Sequence, residues 1–225
     1  MAKQRDINGI GRFWYCIIRK LMKLLAVMYF RTDFNGSENV PSEGAYLLLC
    51  NHQSYMDPVF CAAAVKNRKL CFLARESLFR NRFFGALIRS LNAIPVRRGE
   101  ADIAAMKRVI ARLKDGKIVC MYPEGTRTVT GKISPIKPGF TLLCRRGGAG
   151  VVPMVIEGMF DAWPKGQKYP KRGKVHVKIG EPISYEDIKS MKEDEFNFKI
   201  NLIMRNMQNE LRENMGLEKI KYPES

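Results

Sequence analysis

Short apolar runs alternate with longer stretches of helical spacing from residue 46 to residue 179. Tyr46–Cys50, 70–74, Ala93–Val96, 118–122 and 151–156 are continuous apolar runs, the pattern of strands buried on both faces. Residues 174–179 alternate apolar and polar, as a strand with one wet face does. Between them, 54–65, Arg82–Ser90, 101–114 and 138–146 carry apolar residues at helical spacing. The third is the clearest: Ile103, Met106, Val109, Ile110 and Leu113 form its stripe, and Asp115-Gly116 stops it. Residues 186–215 predict a helix with Met204, Met207, Leu211 and Met215 on one face. Strands separated by helices imply crossover connections, and so an α/β fold: a mixed, largely parallel central sheet flanked by helices.

Ahead of this pattern, residues 10–30 are apolar but interrupted by Arg12, Arg19, Lys20 and Lys23. A bilayer-spanning helix needs about 20 mostly apolar residues, and cations near its centre are costly. On a helix, Arg12, Arg19 and Lys23 share one face. Ile10, Trp14, Ile17, Leu21, Leu24, Leu25 and Met28 take the other. This predicts an amphipathic helix lying in a membrane interface; the competing reading is a helix packed on the domain. No secretory signal is expected, because cations run through the apolar stretch and no small-residue cleavage site follows. The chain divides into a membrane-interface helical segment, 1–34, and an α/β domain, 35–225.

The net charge of +17, from 39 Lys and Arg against 22 Asp and Glu, points to an anionic partner such as nucleic acid, an acidic membrane or a phosphorylated substrate. The basic residues are dispersed rather than gathered on one recognition helix, which argues against nucleic acid. Six cysteines in apolar surroundings, with no CxxC pair, read as free buried thiols, and no clustered Cys/His spacing suggests a metal.

Two polar clusters interrupt the apolar pattern at strand ends, where α/β folds collect ligands. In Asn51-His52-x4-Asp57, an imidazole follows the first apolar run and a carboxylate follows in turn. Such a pair can hold one tautomer and accept a proton from a hydroxyl. Ser54-x-x-Asp57 with Pro58 is also a helix-capping pattern, and both readings stay open. Pro123-Glu124-Gly125-Thr126-Arg127 offers close backbone approach at the glycine and a guanidinium fork for phosphate; a turn with a surface ion pair is the alternative. Arg97-Arg98-Gly99 and Lys137-Pro138-Gly139 are further basic loops. Neither Arg146–Gly150 nor Gly125–Lys132 has the order or spacing of a nucleotide-binding loop.

Four blocks in order resemble the glycerolipid acyltransferase family, in particular its bacterial 1-acyl-glycerol-3-phosphate (lysophosphatidate) acyltransferases. They are Asn51-His52-x4-Asp57, Ile94-Pro95-Val96-Arg97-Arg98, Tyr122-Pro123-Glu124-Gly125-Thr126-Arg127-Thr128 and Val152-Pro153-Met154. Asn92 stands where that family usually has glycine, and Thr128 where serine is common. The resemblance implies transfer of an acyl chain from acyl-CoA or an acyl carrier protein to the sn-2 hydroxyl of a lysophospholipid. This would take place at the cytoplasmic face of an anionic membrane, without cofactor or metal. It implies His52 as base and Asp57 as its orienting partner. Arg98, Glu124, Gly125 and Arg127 would shape the glycerol-phosphate site, and Thr126 and the basic-loop residue Lys137 stand beside them as candidate binding residues. A sister enzyme acting on glycerol-3-phosphate, a lyso-aminolipid or another lysophospholipid, and a non-enzymatic basic membrane binder, are the alternatives.

Overall fold

A computed structural model describes residues 10–97 and 102–223. Seven strands, β1 (Asp33–Asn35), β2 (Tyr46–Cys50), β3 (Leu70–Arg75), β4 (Ala93–Val96), β5 (Ile118–Met121), β6 (Gly150–Glu157) and β7 (His176–Ile179), form one sheet in the order β1-β7-β6-β2-β5-β3-β4. All neighbouring pairs are parallel except β6 and β7. Among the described residues eight helices accompany the sheet: α1 (Ile10–Phe30), α2 (Asp57–Ala64), α3 (Arg82–Ser90), α4 (Ile103–Lys114), α5 (Phe140–Gly147), α6 (Met159–Ala162), α7 (Tyr185–Ser190) and α8 (Glu193–Asn214).

The central strands are buried on both faces, as their unbroken apolar runs require. In β2, Leu48 and Cys50 point into a core with Phe30, Phe60 and Cys61; Leu47 and Leu49 point into a second with Val109, Leu113, Phe140 and Phe196. Every residue of β6 is buried. All six cysteines are free, and only Cys16 is not buried.

Several sequence expectations are corrected in detail. The helix expected from residue 54 begins at Asp57, because the preceding residues are held in a loop by the site described below. The helix expected from Pro138 begins at Phe140, after Gly139 adopts φ +107°. The single helix expected over 186–215 is two, parted at Met191–Lys192, whose backbones are extended. The strand β1 and the short helix α6 have too little apolar pattern to be read. Asn92, in the glycine position of the second block, has φ +63°. Asparagine is the residue best able to replace glycine in that left-handed conformation, so the turn from α3 into β4 is preserved.

The amino-terminal helix is amphipathic, but its polar side faces the protein. Arg19 donates to the carbonyls of Val65, at 2.8 Å, and of Lys66, just past the end of α2. Lys23 lies 5.2 Å from the Phe34 ring centre, and the Tyr15 hydroxyl accepts from the Leu70 N–H at 3.1 Å. Tyr15, Ala26 and Phe30 are buried, whereas Phe13, Trp14, Ile17, Leu21, Leu24, Leu25 and Met28 are exposed. The helix therefore docks, but not by the apolar face that ordinary packing would use. The side chains of Ile10 and Arg12 lie outside the described residues. Among the described residues no helix is long and apolar enough to cross a membrane.

Replacing Arg19 with methionine leaves the carbonyls past α2 without their cation. The expected cost is about 1–3 kcal/mol, read as a lower Tm for the variant in a thermal scan; an unchanged Tm would show that Arg19 does not secure α1.

Candidate active site

The parallel strands β2 and β5 both end at one edge of the sheet, and the loops leaving them interlock. Asn51 fixes the first loop at its root. Its side-chain amide donates to the Ile156 carbonyl at 2.9 Å, and its carbonyl accepts from the Ile156 N–H at 2.8 Å, so it acts as a further strand residue beside β6. The next residue, His52, is turned to the site mouth, with its N–H donated to Glu124 Oε1 at 2.8 Å and its carbonyl accepting from the Thr128 N–H at 2.8 Å.

His52 Nδ1 lies 2.7 Å from Asp57 Oδ2, with the histidine side chain 12% exposed and the aspartate fully buried. The same oxygen accepts from the backbone N–H groups of Gln53 at 2.7 Å and Ser54 at 2.8 Å. Among the described residues Asp57 Oδ1 has no hydrogen-bond partner. Burial therefore pushes the Asp57 carboxyl upward, against the pull of His52 and the Ser54 N–H. A carboxylate on Nδ1 assigns the imidazole proton to that nitrogen and leaves Nε2 as the acceptor. The capping reading is met only in part. Asp57 accepts the Ser54 N–H, but the Ser54 hydroxyl accepts only from Met56, at 3.4 Å, and Met56 is the N-cap of α2.

Tyr122 covers the ring from one side, stacked at 4.0 Å between centroids and 14° between planes. Glu124 is buried, and its two oxygens accept from the N–H groups of His52 and Ser134, at 2.8 and 2.9 Å. Burial raises its carboxyl while those two donors lower it. Glu124 thus ties the His52 loop to the 131–136 segment, with its oxygens turned to backbone. The Arg127 guanidinium stacks 3.5 Å above the Tyr55 ring in the first loop, and its buried Nη1 has no hydrogen-bond partner among the described residues. Gly125 has φ +71°, and a Cβ there would lie 3.2 Å from Lys137 Nζ, so the glycine lets Lys137 pass over the loop. Thr126 is exposed beside them.

The structure therefore gathers His52, Asp57, Glu124, Gly125, Thr126, Arg127 and Lys137. Arg98 lies outside the described residues. Its neighbour Arg97 pairs with Glu76 at 3.0 Å beyond the end of β4, the edge strand. Among the described residues no three His, Cys, Asp or Glu side chains could hold a metal ion together.

Behind the dyad runs a buried polar chain that the sequence did not announce. The Gln53 amide donates to Glu157 Oε2 at 3.0 Å and accepts from the Phe160 N–H at 3.0 Å. Gln208, on α8, donates to the same Glu157 oxygen at 2.6 Å and to the Gly131 carbonyl at 2.8 Å. Arg212 pairs with Glu157 Oε1 at 2.7 Å. Tyr222 donates to Gln208 and accepts from the Ile133 N–H at 3.0 Å. In the sequence its only signals are glutamines at 53 and 208 and a glutamate at the end of a strand, each ordinary by itself.

The model of the acyltransferase family matches residues 31–157, more than half of the chain and all four sequence blocks. This chain belongs to the acyltransferase family. The acyltransferase is similar to the 1-acyl-sn-glycerol-3-phosphate acyltransferase of Bacillus subtilis (strain 168), 29% identical over 68% of this chain and 73% of that protein. It is 28% identical to the enzyme of the same name from Streptococcus pneumoniae, over 91% of this chain and 75% of the relative. Its fold is that of the crystal structure of the 1-acyl-sn-glycerophosphate (LPA) acyltransferase PlsC from Thermotoga maritima. The TM-score is 0.79 at 29% identity, covering 93% of this chain and 84% of that one. Gln208, Arg212 and Tyr222 of the acyltransferase lie beyond the family match.

Asp57→Asn separates orientation from capping. The folded state raises the Asp57 pKa, so its stability contribution is present below the ordinary aspartate value and lost as pH rises through the raised one. At neutral pH the variant should therefore melt no lower than wild type, with wild type gaining on it as pH falls, while turnover drops about 10⁴-fold because asparagine cannot hold the Nδ1–H tautomer. A lower Tm with intact turnover would leave Asp57 only a structural role.

Proposed function

We propose that this acyltransferase moves a fatty acyl chain from a thioester to the sn-2 hydroxyl of 1-acyl-glycerol-3-phosphate, giving phosphatidate. The observation that carries the reading is the His52–Asp57 contact, whose loop also bears the Tyr55 ring under an arginine with a buried N–H unpartnered among the described residues. His52 Nε2 takes the hydroxyl proton as the oxygen attacks the thioester carbonyl. The tetrahedral intermediate collapses, the C–S bond breaks, and the leaving thiolate takes the proton back from the imidazolium. Asp57 steadies that cation, and Tyr122 shields the ring face from water. No acyl-enzyme is needed, so the buried cysteines have no role as nucleophiles.

Arg127 and Lys137 are assigned to the acceptor phosphate. Tyr55 holds the guanidinium in place, and a dianionic phosphate would satisfy the N–H that has no partner among the described residues. Glu124 is assigned a positioning part, since its oxygens are spent on the His52 and Ser134 backbones. The donor is acyl-CoA or an acyl carrier protein, and the excess of positive charge suits either. The acceptor is a membrane lipid, and the outward apolar side of α1 supports seating of the chain on the cytoplasmic face of an anionic membrane.

His52→Ala should lower kcat about 10²–10⁴-fold with the Tm retained; turnover near wild type would remove the mechanism. Arg127→Ala should raise the KM for lysophosphatidate about tenfold or more and leave a phosphate-free acceptor unaffected. An equal effect on both acceptors would take the phosphate away from Arg127.

A further inference from the structure

The helix α3 is almost wholly exposed. Of its residues only Gly85 is buried, and a Cβ there would come within 2.8 Å of the Phe79 carbonyl. The helix rests on the 3-10 turn Glu76–Phe79 at that glycine. Half a turn away stand Phe83, 90% exposed, and Leu87, with Phe84 and Leu78 exposed beside them. Four large apolar side chains exposed on so short a segment form an apolar patch that no described residue covers. Around them Arg75, Arg80, Arg82 and Arg89 are all exposed. The one acid of the segment, Glu76, is already paired with Arg97.

The topology puts this segment beside the site. The connections β2–α2–β3 and β3–α3–β4 step in one direction across the order β2-β5-β3-β4. Right-handed crossovers therefore place α2 and α3 on the same face of the sheet. The return from β4 to β5 runs the other way, and α4 packs in the opposite core through Val109 and Leu113. α1 docks on α2, so its outward apolar side and α3 belong to one face of the molecule. β3 runs parallel to β5, and β5 to β2, so the chain enters the 3-10 turn and α3 from the sheet edge that carries His52.

We propose that α3 is a second membrane-seating element: Phe83, Phe84, Leu87 and Leu78 enter the acyl region of an anionic bilayer, and the surrounding arginines meet its phosphates. An aromatic and aliphatic tip ringed by cations matches the layering of an anionic lipid surface. Together with α1 it gives two points of attachment on one face, which fixes how the site edge is presented to lipid, as a single helix does not. The activity arm of the test rests on the reading that the acceptor is a lysolipid; the binding arm does not.

The full chain carrying Phe83→Asp and Leu87→Asp is compared with wild type on vesicles of phosphatidylcholine with and without phosphatidate. Both positions are exposed, so the Tm should be unchanged. Affinity for the anionic vesicles should fall about tenfold or more, as should turnover of vesicle-embedded acceptor, with turnover of a short-chain soluble acceptor kept. As a second reading, Phe83→Trp in a Trp14→Phe, Trp163→Phe chain should shift its emission to the blue on vesicles and be quenched by brominated lipid chains. Undiminished vesicle affinity with no emission shift would overturn the proposal. So would a wild-type dimer in lipid-free solution that the aspartates break, which would make the face a self-association surface. A raised KM confined to an acyl carrier protein donor would assign it to that carrier instead, and also overturn the proposal. Loss of turnover on every acceptor in the wild type, with vesicle binding intact, would count against the enzymatic reading alone.

Discussion

One carboxylate oxygen organises the candidate site. Asp57 Oδ2 receives the His52 ring and two consecutive backbone N–H groups, so a single buried atom sets the path of the chain and the orientation of the imidazole together. A group that only capped α2 would need no histidine, and one that only oriented a histidine would need no backbone donors. Because both tasks fall on one atom, the turn between β2 and α2 cannot relax without moving the ring. The cost is a buried ionisable group whose other oxygen has no partner among the described residues, and folded proteins carry such costs most often where chemistry is done.

The surrounding loops are held by hydrogen bonds that end on backbone groups. Glu124 reaches the N–H groups of His52 and Ser134, and Thr128 donates to the carbonyl of His52. The third sequence block is therefore fastened to the first, and the segment leading to Lys137 is fastened to both. The loops bearing His52, Arg127 and Lys137 are thereby joined to one another before any ligand arrives.

The sequence made the sheet legible where burial on both faces leaves continuous apolar runs, as in β2, β5 and β6, and where a stripe and a stop coincide, as in α4. It made the site legible through His52, Asp57 and the 122–128 block, because charged and glycine residues at strand ends have few other uses. What it hid has physical reasons. Strand β1 is three residues with no buried member and owes its pairing to β7. The direction in which α1 faces was hidden too, because cations that bind carbonyls and cations that meet water look alike in a helical projection. The chain from Gln53 through Glu157 and Gln208 to Tyr222 joins residues that are far apart in order and individually ordinary; only the fold makes them neighbours.

That last chain has a consequence for how the protein is made. Glu157 ends β6, but its partners Gln208 and Arg212, and Tyr222 behind them, are synthesised later. A domain folds as a unit, and α8 also fills one of the two cores through Phe196, Ile200 and Met204. Until that helix is made, Glu157 has Gln53 as a donor but lacks Gln208 and Arg212. The last stretch to leave the ribosome thus completes both a core and the polar support behind the first loop of the candidate site.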